Sequence, residues 1–213
     1  MTFLLLDVDN TLYPPTCGVV PRVDALINRY LVERCGFEEA EVDAVRRRLW
    51  SEYGTTLHGL MYRRGIDPDD YLRFVHAIEL DDVLRPDPAL AAMLRRIPLN
   101  KVAVTNGSAA HARAVLERLG VREVFFRIYG LERLAYFPKP YVQAYHLVLA
   151  DLHARGSDCT LVEDRAVNLR AARQLGMRTV YVADGEPTTP DADAHIGSIH
   201  ELETALARLA SAA

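Results

Sequence analysis

The chain has 213 residues, half of them apolar and a quarter charged, with a formal net charge of −4. That length is generous for one domain and short for two, so one core with a large insertion is expected. The composition excludes a disordered chain, and the mildly acidic balance leaves no electrostatic footprint for a nucleic acid polymer or a membrane surface.

The first element is predicted at Phe3-Leu4-Leu5-Leu6, an apolar run cut off by Asp7 and Asp9. It has no basic leader, so it reads as a strand and not as a signal peptide. Residues 14–84 hold no convincing strand. Val23, Leu26, Ile27, Tyr30 and Leu31 make one helical stripe, and Val42, Val45, Leu49 and Tyr53 make another. Asp67-Pro68 and Asp87-Pro88 each place a capping carboxylate before a proline at the first helical position. An all-helical insertion over 14–84 is therefore expected, with 1–13 and 85–213 forming the core.

Beyond it, strands are predicted at Lys101–Val104, Phe125–Tyr129, Cys159–Val162 and Thr179–Ala183, and helices at Ser108–Leu119, Pro140–Leu152 and Ala166–Leu175. Short apolar runs ending abruptly in polar residues suit strands buried on both faces of a parallel sheet. Alternation with helices gives an α/β class, a doubly wound, Rossmann-like parallel-sheet core. The Ala-rich end, Ala205–Ala213, is expected to fray. No run approaches the roughly 20 apolar residues of a membrane span. Three scattered cysteines, Cys17, Cys35 and Cys159, make no disulfide framework, and a reducing cytoplasm is the expected setting.

Ligands of such sheets sit at the carboxyl ends of the strands, and three polar clusters fall on that edge. Asp7 and Asp9, two apart on an extended strand end, can face one site. Their mutual repulsion calls for a cation or a shared proton. Glu163-Asp164 ends another buried strand and can complete an oxygen-ligand set for Mg²⁺. Thr105-Asn106-Gly107-Ser108 offers a hydroxyl, an amide and a loosened backbone at a helix start, a favourable place for an anion. Lys139, between Pro138 and Pro140, would be a fixed point charge, although a lone lysine of this kind is ordinarily a solvated surface residue. Arg46-Arg47-Arg48 reads as the solvated face of the second helix of the insertion.

In this order DVDNT, VTNGS, FPKP and VED resemble the motifs of the haloacid dehalogenase superfamily of phosphohydrolases, and the helical insertion resembles the cap of its phosphatase branch. Asp9 to Pro14 and Tyr53-Gly54-Thr55-Thr56-Leu57-His58-Gly59-Leu60 resemble the pyrimidine 5'-nucleotidase-like group.

The resemblance implies that Asp7 attacks phosphorus and that Asp9 protonates the leaving oxygen and later activates water. It implies Mg²⁺ on the Asp7 side chain, the Asp9 main-chain oxygen and Asp164, with Glu163 nearby. Thr105, Asn106, Gly107 and Lys139 would hold the phosphoryl oxygens. The dehalogenases of this superfamily lack an acid at the position of Asp9, which favours a phosphate ester over a carbon–halogen bond.

For the cap, Tyr53, Gly54, Thr55 and Thr56 are candidates for leaving-group recognition. An ordinary helix–helix turn with a threonine cap explains the same letters. His58 is a candidate to face substrate, and Tyr13 to line the entrance. Arg165 departs from the nucleotidase-like pattern, and contact with phosphate and pairing with a surface carboxylate are both open readings.

The expected partner is a small phosphate ester, with a pyrimidine nucleoside 5'-monophosphate as first guess. A phosphatase for another small phosphate (a sugar phosphate or phosphoglycolate), a phosphomutase and a non-catalytic binding protein are the alternatives. Monomer and homodimer are both open.

Overall fold

The computed structural model describes residues 2–185 and 188–211. Six parallel strands form one sheet: β1 (Phe3–Leu6), β2 (Asn100–Val104), β3 (Phe125–Tyr129), β4 (Cys159–Glu163), β5 (Arg178–Val182) and β6 (Ala194–Ile196). Their order is β3-β2-β1-β4-β5-β6. The chain turns in opposite directions on the two sides of β1, the switch point at which such sheets bind ligands. Leu6 lies level with Ala103 on one side and Val162 on the other, so the residues that follow reach one edge together.

The helices are α1 (Val19–Glu33), α2 (Val42–Tyr53), α3 (Thr56–Arg64), α4 (Pro68–Val75), α5 (Pro88–Arg96), α6 (Ala109–Leu119), α7 (Val142–Leu152), α8 (Ala166–Gln174) and α9 (Leu202–Ser211). Successive strand residues point to opposite faces, and both faces are covered. Leu4, Leu6, Ala103 and Val162 pack with Leu90 and Leu94 of α5, Val115 and Leu116 of α6, and Leu202 of α9. Leu5, Val102, Val104 and Leu161 pack with Tyr145 and Val148 of α7 and Leu169 and Ala172 of α8. Leu4, Leu5 and Leu6 are fully buried, each contributing roughly 1.5–3 kcal/mol of transfer free energy. This is the expected doubly wound α/β architecture.

Helices α1–α4 lie between β1 and α5 in sequence and have their own apolar cluster, including Tyr30, Leu31, Leu49, Leu60 and Tyr71, closed by Leu131 from beyond β3. Asp67 and Asp87 cap α4 and α5 as predicted, each accepting a backbone N–H ahead of a first-position proline. Strand β6 was not expected. The alanine-rich end is helical through Ser211; Ala212 and Ala213 lie outside the described residues.

Candidate active site

The carboxyl ends of β1, β2 and β4 open into a cavity of about 310 Å³ whose other wall is built by α1–α4. Asp7 stands at its floor. The backbone N–H of Asp7 donates to the Val162 carbonyl at 3.0 Å, continuing the β1–β4 pairing one step beyond the strand. The Thr11 hydroxyl donates to Asp7 Oδ2 at 3.3 Å.

Lys139 enters from the turn before α7, and its side chain is only 1% exposed. Asn106 holds its backbone: the Asn106 amide donates to the Lys139 carbonyl at 2.9 Å, and Lys139 N–H donates to Asn106 Oδ1 at 2.7 Å. The ammonium then donates to Asp7 Oδ1 at 2.8 Å and Glu163 Oε2 at 2.7 Å. Burial opposes charge on Lys139, but the two carboxylates outweigh it and hold the ammonium protonated, above its ordinary range. Burial pushes the Asp7 carboxyl up to about 7, with Glu163 adding repulsion and Lys139 opposing both. Burial likewise raises Glu163 and Asp164.

Asp7, Glu163 and Asp164 bring carboxylate oxygens within 4.8 Å of one another. One ammonium touches two of these three groups, so negative charge is left in excess. Asn10 and Asn168 also line the cavity, and the Oδ1 of each is buried with no partner. Three crowded carboxylates and spare amide oxygens fit a hard divalent cation and its water. Glu163 already serves the protein, since its Oε1 also accepts the Arg165 N–H at 3.2 Å.

Asp9 faces the same cavity. Tyr13 donates its hydroxyl to Asp9 Oδ1 at 2.5 Å, and His111 donates Nε2–H to the same oxygen at 2.9 Å. Burial would raise Asp9, but the His111 imidazole and the Tyr13 hydroxyl outweigh it and hold the carboxyl below its ordinary range. Burial and the Asp9 charge push the Tyr13 phenol well up, so it stays a donor.

Thr105 ends β2, with its N–H on the Tyr129 carbonyl at 3.0 Å. Its Oγ1 accepts Gly107 N–H at 2.9 Å, which leaves the hydroxyl proton for a ligand. Ser108 caps α6 by accepting His111 N–H at 3.1 Å.

Several expected roles change. The Asn106 amide gives one of its two N–H donors and its oxygen to the Lys139 backbone, and it lines the cavity with the other N–H to spare. Tyr13 does not line the entrance: it is buried, with its hydroxyl on Asp9. His58 does not line the cavity; its ring sits 5.1 Å from that of Tyr141, and Nδ1 faces the Tyr53 carbonyl at 3.2 Å. Tyr53 packs against Tyr62 and accepts from Arg63, and Gly54 ends α2 at φ 78°, so neither lines the cavity. Thr55 and Thr56 do line it, with Thr55 also capping α3. Arg165 stacks over the Trp50 ring at 4.8 Å and lines the cavity; among the described residues no surface carboxylate pairs with its side chain. Arg46 does not face solvent: it pairs with Asp24, donates to Asn28 at 2.8 Å and lines the cavity.

His76 and His111 had no sequence signal. His111 bonds across 102 positions, beyond any local spacing.

Residues 1–176 match the family described as haloacid dehalogenase-like hydrolase. The chain belongs to that family. Over 128 residues this hydrolase is 27% identical to phosphate metabolism protein 8 of Saccharomyces cerevisiae, a match covering 56% of the chain and 40% of the yeast protein. The chain thus spans well under half of that relative's length. Solved structures with the same fold include a HAD phosphatase from Thermococcus onnurineus (TM-score 0.64, 16% identity, 97% of this chain and 98% of that one). The L-2-haloacid dehalogenase of Xanthobacter autotrophicus is similar as well (TM-score 0.60, 16% identity, 98% of each chain). So is the HAD-hydrolase YfnB of Bacillus subtilis, solved with magnesium (TM-score 0.62, 18% identity, 95% of this chain and 97% of that one). At these identities the structural likeness speaks for the fold. Among the described residues no helix is long and apolar enough to cross a membrane.

Proposed function

We propose that this haloacid dehalogenase-like hydrolase is a Mg²⁺-dependent phosphomonoesterase working through an aspartyl phosphate on Asp7. Its first candidate substrate is a pyrimidine nucleoside 5'-monophosphate. The carrying observation is Asp9, a second carboxyl on the same cavity as Asp7 and held there by two donors. An alkoxide leaving group needs a proton donor at that place, whereas a halide needs none.

Asp9, held as a carboxylate in the free site by its two donors, would take up a proton as the negative ester arrives beside it. The Asp7 carboxylate would attack phosphorus as the bond from phosphorus to the ester oxygen breaks, and Asp9 would pass that proton to the departing oxygen. Water would then attack the aspartyl phosphate, giving a proton back to Asp9 as the bond from phosphorus to Asp7 breaks and phosphate leaves. Lys139 and the Thr105 hydroxyl would bind the transferring oxygens, together with the backbone N–H and the second amide N–H of Asn106. Asp7, Asp164, the Asp9 main-chain oxygen and, behind them, Glu163 would hold Mg²⁺. The bound ion would neutralise carboxylate and phosphoryl charge.

Residues 14–84 would form a cap over a core made of 1–13 and 85–213, excluding bulk water when closed. Support for a nucleoside comes from the cavity's far wall. It mixes apolar Val20, Val23 and Ile27 with the Arg46–Asp24 pair, a donor beside an acceptor that suits a polar ring edge.

The test is phosphate release from a panel of nucleotides, sugar phosphates and phosphoglycolate, with Asp7→Asn as control. Rapid release by wild type from a pyrimidine nucleotide and none by the variant is expected. Unchanged turnover in Asp7→Asn would overturn the mechanism, and preference for a sugar phosphate would overturn the substrate.

A further inference from the structure

Asp9 has two carboxylate oxygens, and both of its side-chain donors choose the same one. Tyr13 approaches Oδ1 at 2.5 Å from four residues along the loop, and His111 approaches at 2.9 Å from the first turn of α6. No side chain among the described residues donates to Oδ2. A carboxylate pinned by two donors on one oxygen has lost its freedom to rotate, and its other oxygen has a fixed direction.

The pinning groups are themselves fixed. Tyr13 and His111 are both buried. His111 stacks on His76 with ring centroids 4.4 Å apart and planes within 19°. His76 follows α4, and its Nδ1–H donates to the Leu72 carbonyl at 3.0 Å. Gly107 leaves the space for that ring, since a Cβ there would stand 3.3 Å from His76 Nε2. The chain therefore commits one phenol and two imidazoles to a carboxylate that could have been left free.

We propose that Tyr13 and His111 are positioning residues that clamp Asp9 through Oδ1 and so make Oδ2 the oxygen that exchanges protons with the leaving group and with water. His76 steadies the His111 ring from the α1–α4 side. The inference rests on the phosphomonoesterase reading above and adds what that reading lacks, the means by which the acid is aimed.

The test compares kcat/KM for two esters. This ratio reports the steps up to departure of the leaving group, so later hydrolysis of the aspartyl phosphate does not mask the effect. p-Nitrophenyl phosphate has a leaving group that departs with little help, whereas ethyl phosphate must be protonated. Tyr13→Phe removes one hydroxyl at nearly constant volume, and His111→Leu removes the second donor. Positioned acid catalysis is worth on the order of 10²–10⁴-fold. Each variant should therefore lose about 10-fold or more on ethyl phosphate while keeping p-nitrophenyl phosphate within about 3-fold. His111→Gln, which restores a donor, should recover part of the loss.

Thermal midpoints are measured alongside, and Tyr13→Phe carries the test if His111→Leu does not fold. A folded variant that loses the two esters equally, or neither, overturns the clamp and leaves the enzyme reading standing. A wild-type protein that hydrolyses neither ester overturns both.

Discussion

Replacing Lys139 with methionine tests the electrostatic logic of the site without touching its backbone, which Asn106 holds independently of the side chain. The ammonium is the buried partner of Asp7 and Glu163 at 2.8 and 2.7 Å. Breaking a buried pair by removing one member costs about 3–5 kcal/mol, because the remaining charge has neither water nor partner. Near 200 residues each kcal/mol is worth about 2–4 °C, so the thermal midpoint should fall by roughly 6–20 °C.

The carboxylates can escape by taking up protons, and Asp7 already stands at about 7 with Lys139 present. Losing the ammonium moves it further up. An acid raised in the folded state contributes stability below its unfolded value and loses it as pH rises through the folded one. The deficit should therefore be smaller at pH 6 than at pH 9. Urea unfolding followed by circular dichroism, in EDTA at both pH values, measures it. Adding Glu163→Gln should recover at least about 1 kcal/mol, since the two sites share one interaction. A Lys139→Met protein within about 1 kcal/mol of wild type at pH 9, or one whose deficit ignores pH, refutes the reasoning.

Mg²⁺ should raise the thermal midpoint more at pH 8.5 than at pH 6.5, since Asp7 must lose its proton to ligate; calorimetry showing the reverse would contradict the raised carboxyl. That window avoids His76, which burial holds down to about 4 and which contributes the opposite slope at lower pH. It also avoids Asp9, whose depressed value acts only below the ordinary carboxylate range. Trp50→Leu removes the ring under Arg165, itself half exposed; stability should change by under about 1 kcal/mol while KM rises several-fold, as steady-state kinetics and melting will show. Gly54→Ala should cost about 1–2 kcal/mol because φ is 78° there. Gly59→Val should cost more, because a Cβ at Gly59 would stand 2.7 Å from Leu49 Cδ2 and push α2 from α3; equal melting of the two variants would contradict that contact.

Much of the architecture could be read from the letters. Phe3–Leu6 and Cys159–Val162 are largely apolar because helices cover both faces of the sheet, and that burial leaves a pattern in a single sequence. Strand β6 leaves none: it has three residues, and its middle one, His195, is exposed. The convergence of Asp7, Lys139 and Glu163 followed from their places after buried strands and a proline-bounded turn. The depth of Lys139 did not, because its backbone is held by an amide 33 residues away. Arg46 looked solvated within an arginine triplet, yet Asp24, one helix earlier, turns it inward. Tyr13 was noticed for its place after the loop and misjudged in direction, since its partner lies back along the loop at Asp9.

The central position of β1 has a consequence for biosynthesis. Asp7, the proposed nucleophile, is made well before the strands that flank it, at 100–104 and 159–163. Until then Phe3–Leu6 is an unpaired apolar ribbon with both edges open, the kind of segment that chaperones shield. A fragment ending before residue 159 would carry Asp7 but lack Glu163 and Asp164, so the proposed chemistry cannot begin before β4 has been made and paired.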